Sequence, residues 1–472
     1  MALITDRDRT AHLLRRFGFG ASETEVDFYA EGGWEKAVDR LLNYEAIAEP
    51  FQLPLENFAV NQNALRPQSL QAWWMAKMIA TQRPLQEKMT LFWHDHFATS
   101  AQKVTNALLM HEQNETFRSF ATGSFKDLLT EASKDPAMIV WLDNQYNVKG
   151  KPNENFAREV MELFTLGIGN YTERDIQEAA RAFTGWSFRG ADRKQLSRNR
   201  TSEFYFNARQ FDNGEKSVLG SKGPFTGEDV LNLLCDEAQT ARYLTTKIWE
   251  WFAYKDPEPA LIDRLAGEFK RSGLQIGTLL RAIMTSKEFY SERSERAVYK
   301  TPIDFTVSTL RQLGLGQRIV ALRPAEDGMV PRNQLAPIAA VLNASKSMGM
   351  DIIFPPDVAG WEGGSAWITS ATMIERVKWA DRLFGTVPTG PGRQVPQVRF
   401  PASSLFSPGT SPEEVATRLI SIFDAPIAAS KWQALVEAAR KASDGRITNQ
   451  NVNRTAAAVC RLIFGAPEFQ FA

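Results

Sequence analysis

The chain has 472 residues, of which 43% are hydrophobic and 23% are charged, and this ordinary globular composition excludes a fibrous or intrinsically disordered protein. Its 55 Lys and Arg residues balance 55 Asp and Glu residues, so net charge gives no reason to expect nucleic acid as a partner. No apolar run approaches the ~18 residues of a membrane span, and the charged start lacks the apolar stretch of a signal peptide. We therefore expect a soluble protein that, as given, is cytoplasmic.

Helical periodicity, interrupted by Gly, Pro and Asn, dominates the chain. The pattern predicts a helix over 70–81 and a second that opens at Pro84, a residue favoured in the first turn, and runs to about Phe97. Another helix is predicted over 153–166 with an Asn cap. The next covers 172–184, because a Thr-x-x-Asp capping box opens it and Gly185 stops it. Further helices are predicted over 227–234, 240–252, 259–272 and 277–286, with three short ones near the end of the chain.

The pattern changes in two places, and these define the predicted architecture. In an insertion at about 189–226, residues 204–206 and 216–219 flank an Asp-Asn-Gly sequence, which predicts a small β-hairpin. A Pro/Gly-rich stretch over 385–412 predicts a linker or wrapping loop. We therefore expect an all-α protein, a compact multi-helix bundle with a small β-hairpin insertion. Its main domain would span 1–384, and a C-terminal helical lobe, 413–472, would pack on it.

The chain has only four histidines, and two of them, His94 and His96, form an H-x-H sequence within the helix that opens at Pro84. At ~100° per residue, His96 shares an apolar stripe with Phe92, whereas His94 points to nearly the opposite side. A continuous helix cannot bring both rings to one metal ion, but an unwound end would allow it. Two interpretations stay open: His96 is a core residue and His94 is partly exposed, or one of them binds a metal or haem.

A polar loop that begins at Asp143 leads into the acidic helix over 153–166. On that helix Glu159 and Glu162 are three residues apart, a spacing at which two carboxylates share a metal or form an acid and base pair. The alternative is a solvated face with Arg158 paired to Glu154 and Glu162.

Two other segments carry candidate signals. The basic run from Arg189 to Arg200 is interpreted as a solvated loop rather than a phosphate site, because aromatic residues are absent until Phe204. The segment over 355–367 combines tight turns with Trp361 and Trp367 and either lines a pocket or caps the core. We favour the structural role for it.

Several motifs, specific when taken together, resemble one bacterial family, the domain of unknown function 1800, over nearly the whole chain. They are HLLRRFGFG at 12–20, FWHDHF at 92–97, DPAM at 135–138, LDN at 142–144, NENFARE at 153–159, MELFTLG at 161–167, ARAFTGW at 180–186, and PPDV at 355–358 with GW at 360–361 and GG at 363–364.

This resemblance implies no catalytic residues, because the family is named for lacking a known activity. The resemblance implies that similar proteins are often exported and encoded beside a sulfatase-like partner family, whereas the charged start of this chain leads us to expect no signal sequence. Similar proteins also tend to have His-Asp before the Gly-Glu-Lys of the hairpin, where this chain has Gln210-Phe-Asp212. A ligand supplied at that position by the family is therefore missing here.

The leading functional hypothesis is a metal-dependent enzyme, with hydrolysis as the favoured reaction, in a polar pocket where the His94 helix meets the Glu159 helix. A divalent metal would be held by His94, His96 and Asp143, and Glu159, Glu162 and Arg158 would be catalytic. A haem or other redox cofactor held by a histidine is a second enzyme hypothesis, without an attachment motif to support it. From another class, the protein is a non-catalytic scaffold that binds a partner protein.

Overall fold

A computed structural model describes residues 3–20, 22–59, 65–190, 202–387 and 395–472. It is 58% helical, with only two small antiparallel sheets in the described part, so the predicted helical class with a small hairpin insertion is confirmed. The α-helices are α1 Asp6–Phe17, α2 Glu23–Ala30, α3 Trp34–Leu42, α4 Pro67–Ala80, α5 Pro84–His96, α6 Ala107–Ser119, α7 Phe125–Lys134, α8 Pro136–Trp141, α9 Asn155–Glu159, α10 Glu173–Ala182, α11 Gly227–Asp236, α12 Ala238–Phe252, α13 Pro259–Arg271, α14 Ile276–Met284, α15 Pro302–Gln312, α16 Gly316–Val320, α17 Ala336–Ser347, α18 Ser370–Phe384, α19 Pro412–Ile422, α20 Ala429–Ser443 and α21 Val452–Gly465.

Local sequence explains where many of these helices begin. The predicted capping box before α10 is present: Thr172 accepts a hydrogen bond from the Asp175 N–H, and the Asp175 carboxylate accepts one from the Thr172 N–H. The same exchange opens α1, α2, α11, α15 and α19. Each such cap satisfies backbone donors that the helix itself leaves free.

The predicted helix over 153–166 has a different form. A short α-helix, α9, ends at Glu159, and a π-helical segment continues it over Val160–Thr165. The Thr165 hydroxyl donates to the Val160 carbonyl at 2.7 Å, which helps satisfy the widened turn. Single π turns inside α-helices are uncommon and are frequent at functional sites.

The strands of the insertion pair differently from the predicted hairpin. Strand β1 (Trp186–Arg189) pairs with β2 (Glu203–Phe206), and β3 (Lys216–Val218) pairs with β4 (Ser221–Gly223), both antiparallel. The predicted pairing of 204–206 with 216–219 is therefore wrong. The tight turn lies instead at Leu219 and Gly220, which both have positive φ, as a two-residue hairpin turn requires. Most of the basic run that ends at Arg200 lies outside the described residues.

Apolar side chains form two clusters, and α5 lies between them. The α4 cluster collects buried residues from α4 and from α15 to α21, and the α12 cluster collects those of α1 to α3, α7 and α9 to α14. Leu91 of α5 belongs to the α4 cluster, whereas Leu85, Met89 and Trp93 belong to the α12 cluster. Helix α5 is therefore buried on both sides, and its polar residues must find partners inside the protein.

The C-terminal helices α19 to α21 contribute buried residues to the α4 cluster, alongside α4 and α15. The division into domains at 384 and 412 stays a prediction, and residues 388–394 of the predicted linker lie outside the described part. None of the described helices is long and apolar enough to cross a membrane.

Candidate functional site

A cavity of about 510 Å³ lies beside α5 and α12. Side chains of α1, α5 and α12 line it, together with the segments over 297–304 and 359–367. The lining mixes charged residues, such as Asp95 and Lys247, with aromatic ones, such as Trp251 and Trp361. A concave site with apolar walls and a few converging polar groups is the usual form of a small-molecule site.

Asp95 is the carboxylate of α5 that faces this cavity. Its Oδ1 accepts a hydrogen bond from the backbone N–H of Trp361 at 2.9 Å. Its other carboxylate oxygen has no hydrogen-bond partner in the described part of the chain. Burial raises the pKa of Asp95 to about 6, although the Trp361 N–H and the Lys247 charge act in the opposite direction. Asp95 therefore changes protonation state close to neutral pH, unlike an ordinary aspartate.

Gly360 allows the backbone at 360–361 to lie in direct contact with Asp95. It has a φ of 86°, and a β-carbon at this position would lie 2.3 Å from Asp95 Oδ1. Any other residue would therefore suffer both a strained φ and a clash with the carboxylate. The Gly-Trp pair at 360–361 is thus a structural requirement for holding Asp95.

Lys247 of α12 faces the same cavity and makes no ion pair or hydrogen bond with the residues that the structure describes. Burial lowers the pKa of Lys247, and Asp95 acts in the opposite direction. The Nζ atom lies 5.6 Å from the centroid of the Tyr243 ring. Asp95 and Lys247 therefore interact electrostatically without closing into a direct salt bridge.

The two histidines of α5 occupy separate environments, as predicted, but both are buried. His94 Nε2 accepts a hydrogen bond from the Ile353 N–H at 3.1 Å, and its ring lies against Trp74 and Trp361. Burial lowers the pKa of His94 to about 3, so the ring is neutral. The expectation of a partly exposed His94 is wrong, because the loop over 350–361 covers this side of α5.

His96 lines the cavity, and its Nε2 lies 3.2 Å from the Phe164 carbonyl oxygen in the π-helical segment. A nitrogen beside a carbonyl oxygen carries the proton and donates, which leaves Nδ1 as an acceptor without a partner among the described residues. Burial first, and then Lys247, lowers the pKa of His96. His96 is therefore a neutral ring at the wall of the cavity.

The predicted acidic site lies away from the cavity. Arg158 binds Glu173 through two bonds of 2.9 Å and Glu154 at 3.2 Å, so only one of its two predicted helix pairs forms. Glu162 instead accepts a hydrogen bond from the Tyr171 hydroxyl. Burial, and then the negative charge of Glu162, raises the pKa of Glu159. None of these three residues lines the cavity.

Asp143 is also separate from the histidines. It pairs with Lys103 at 2.8 Å and lies outside the cavity lining. Over the described residues, no group of three or more His, Cys, Asp or Glu side chains is arranged to hold a metal ion. The structure thus brings His96 to the cavity but does not unite it with Asp143, Glu159 or Glu162, and metal binding stays a prediction.

Sequence reasoning missed the polar residues that do meet at the cavity: Asp95, Lys247, and Arg15 and Arg16 of α1. Asp95 lies between His94 and His96 in the H-x-H sequence, and this position is the local signal that could have indicated it. Lys247 has no spacing relation to Asp95, because tertiary packing of α5 against α12 brings them together. Trp361 and Trp367 line the cavity and also pack on the α4 cluster, so both interpretations of this segment hold.

Comparison of the chain with curated proteins and with solved structures finds no match. The family model described as a protein of unknown function (DUF1800) matches residues 12–471. This range includes the α1 motif, the α5 motif with Asp95 and the Gly-Trp pair at 360–361. The chain therefore belongs to the DUF1800 family.

Proposed function

We propose that the protein is an enzyme that acts on a small molecule in the cavity, with Asp95 as its general acid or base. The observation that carries this proposal is the arrangement of Asp95: a carboxylate with a raised pKa faces a cavity, beside a lysine that makes no ion pair or hydrogen bond with the described residues. Raised carboxylate pKa values in clefts mark candidate catalytic groups, although structural networks also produce them.

Hydrolysis remains the reaction that we favour. With a pKa of about 6, Asp95 is mostly ionised at neutral pH and is still a stronger base than an ordinary aspartate. Its free oxygen would take a proton from a water molecule, and that water would attack the bound substrate while the bond to the leaving group breaks. The protonated Asp95 would then return the proton to the leaving group. The Lys247 ammonium would face the negative charge that develops on the substrate and stabilise it.

The surroundings assign separate roles to the neighbouring groups. The Trp361 N–H holds one oxygen of Asp95, which orients the other toward the cavity. His96 donates its Nε2 proton to the Phe164 carbonyl oxygen, so it contributes a neutral wall rather than the base. The hypothesis that His94, His96 and Asp143 hold a divalent metal is a separate proposal, tested by elemental analysis of untagged protein purified without added metal or chelator.

The test is a comparison of wild type with Asp95→Asn and Lys247→Met on chromogenic esters, phosphate and sulfate esters, glycosides and peptides. We expect one substrate class to be hydrolysed, with kcat/KM falling below an apparent pKa near 6. Loss of the Asp95 base should reduce kcat by roughly 10²–10⁴-fold. Lys247→Met should reduce kcat more than it raises KM, because it removes transition-state stabilisation.

Asp236→Asn is the matched control, because Asp236 is exposed at the end of α11. Circular dichroism should show the same helical content for all the variants. Full activity of Asp95→Asn on a substrate that wild type hydrolyses would contradict the proposal. So would a failure of wild type to turn over any substrate of the panel, and a binding or scaffold role would then be favoured.

A further inference from the structure

A group of five cationic side chains lies at the α1 end of the cavity, and we call it the cation cluster. Its members are Arg15, Arg16, Lys88, Arg296 and Lys300. Arg15, Arg16 and Lys88 line the large cavity, whereas Arg15, Arg296 and Lys300 line a small adjoining one of about 20 Å³. Arg15 is common to both cavities, so the cluster is continuous between them.

Carboxylates neutralise only part of this charge. Asp304 pairs with Lys88, and Asp424 is shared by Arg15 at 2.6 Å and Arg296 at 3.1 Å. Over the described residues, Arg16 and Lys300 pair with no carboxylate. Two largely buried cations of the cluster are therefore left without an ion pair among the described residues.

The hydrogen-bonding capacity of the cluster is also unfilled. Arg16 is only 2% exposed, and its Nη2 donates to the Ser294 carbonyl oxygen. Its Nε and Nη1 have no partner in the described part of the protein, and the same holds for Arg15 Nε, Arg296 Nη1 and the Ser294 hydroxyl. Buried guanidinium donors normally bind an acceptor, since leaving them unpaired costs free energy.

Lys300 is a second buried cation of the cluster that has no anion beside it. It is 7% exposed, and its Nζ lies 3.5 Å from the centroid of the Phe469 ring rather than beside an anion. Burial first, and then the neighbouring Arg296 charge, lowers the pKa of Lys300. An anion placed among these side chains would remove this penalty.

We propose that the cation cluster binds a doubly charged tetrahedral oxyanion, the phosphate or sulfate group of the molecule that enters the cavity. Arg16 and Lys300, which have no ion pair among the described residues, would be neutralised together by one doubly charged anion but not by a single carboxylate. Guanidinium groups also match the geometry of such oxyanions. This inference deepens the proposed function, on which it rests for the identity of the cavity as the ligand site. It places the anionic group at α1 and the reacting bond near Asp95.

The test measures binding of inorganic phosphate, inorganic sulfate and acetate to the wild-type protein, by calorimetry and by the change in Tm, against chloride at equal ionic strength. We expect phosphate or sulfate to bind and to raise Tm with concentration, and acetate to bind more weakly. The tighter of the two tetrahedral anions identifies the anionic group of the ligand. Binding of acetate as tight as that of phosphate and sulfate, or no binding of either tetrahedral anion, overturns the proposal.

Variants locate the site. Lys300→Met and Arg15→Met should each weaken binding of the tetrahedral anion by at least about tenfold, and Arg16→Lys should weaken it because the planar donor fork is lost. Arg281→Met is the control, because Arg281 is exposed and pairs with Asp39 outside the cavity. If Arg16→Lys does not fold, the Lys300 and Arg15 variants decide. Unchanged affinity in both overturns the assignment.

The Asp95→Asn variant separates this inference from the proposed enzyme activity. It should bind the tetrahedral anion as tightly as wild type, because Asp95 is not part of the cation cluster. Anion binding without any turnover would support the cation cluster and contradict the enzyme proposal. Turnover that depends on Asp95, without anion binding, would support the enzyme proposal and contradict the cation cluster as an anion site.

Discussion

Helix α5 carries two carboxylates whose surroundings differ, since Glu87 is buried whereas Asp95 is half-buried at the cavity. Glu87 is fully buried and ionised: Arg118 donates to it at 2.6 and 2.9 Å, and the Trp74 indole donates at 3.0 Å. Burial acts to raise the pKa of Glu87, but Arg118 outweighs it, and the pKa is lowered. Asp95, two turns later, accepts one backbone hydrogen bond. Lys247 interacts with it electrostatically but forms no direct salt bridge with it.

The difference shows how one helix can hold a structural and a candidate catalytic acid. A carboxylate whose oxygens are filled by fixed donors has no capacity left to exchange a proton with a ligand. A carboxylate with one free oxygen on a cavity keeps that capacity, at a cost in stability. The local sequence is not sufficient to tell the two apart, because the partners come from α4, α6, α12 and the loop at 360–361.

The largest effect on stability is expected from the removal of the Glu87 carboxylate. Glu87→Gln leaves the buried Arg118 without its main counter-charge, and we expect a loss of roughly 3–5 kcal/mol in the free energy of unfolding. Urea denaturation measures it. Glu115→Gln is the matched control, because Glu115 pairs with the same arginine from a half-exposed position and should cost less than about 1 kcal/mol. Equal effects of the two substitutions would contradict the structural role of Glu87.

The second-largest effect on stability is expected at Gly360, which lies against Asp95. Gly360→Ala introduces a side chain at positive φ against the Asp95 carboxylate, and we expect a loss of about 2–3 kcal/mol in the free energy of unfolding. Enzymatic activity, if present, should fall with it, since Asp95 must move. Gly409→Ala, which also has positive φ but open space around its β-carbon, controls for backbone strain alone. A similar loss in both variants would show that contact with Asp95 is unimportant.

A smaller effect, of opposite sign, is expected at Asp95 itself. Because the folded-state pKa is raised to about 6, the charged carboxylate destabilises the fold, and stability falls as pH rises from the unfolded-state pKa through 6. Asp95→Asn removes this penalty and should be more stable than wild type by about 1–3 kcal/mol at pH 8. Thermal unfolding between pH 4 and 8 tests it. The difference should shrink toward pH 4, and a difference that is constant with pH would exclude titration of Asp95.

The smallest effect on stability is expected at Glu159. It is half-buried and has no ion-pair partner in the described residues, so Glu159→Gln should change the free energy of unfolding by less than about 0.5 kcal/mol. The metal hypothesis adds that this variant loses metal uptake. Elemental analysis of wild type and variant after metal addition tests both parts together. Equal metal content in the two proteins would remove Glu159 from any metal site.

Much of the helical framework was predictable because its signals are local. The capping box at Thr172 and Pro84 in the first turn of α5 each act within a few residues of the chain, and the structure has both features. Gly185 has a positive φ, but α10 ends before it, at Ala182. The strand pairing of the insertion was not predicted correctly. The turn at Leu219 and Gly220 lacks the Asn-Gly sequence that marks such turns most clearly, while an Asp-Asn-Gly sequence nearby offered a competing signal.

The sequence by itself determined the helical class, the main helix starts and the membership in one family, because periodicity, capping and motif order are properties of the chain. Only the tertiary structure decided which polar side chains of α5 have all their hydrogen-bond partners inside the protein and which keep an unpaired atom at the cavity. Periodicity assigns one face of a helix to the core, but α5 is covered on both faces, so the burial of His94 and the partial burial of Asp95 depend on the loop over 350–361. The cavity with Lys247 and the cation cluster likewise exist only where distant segments meet.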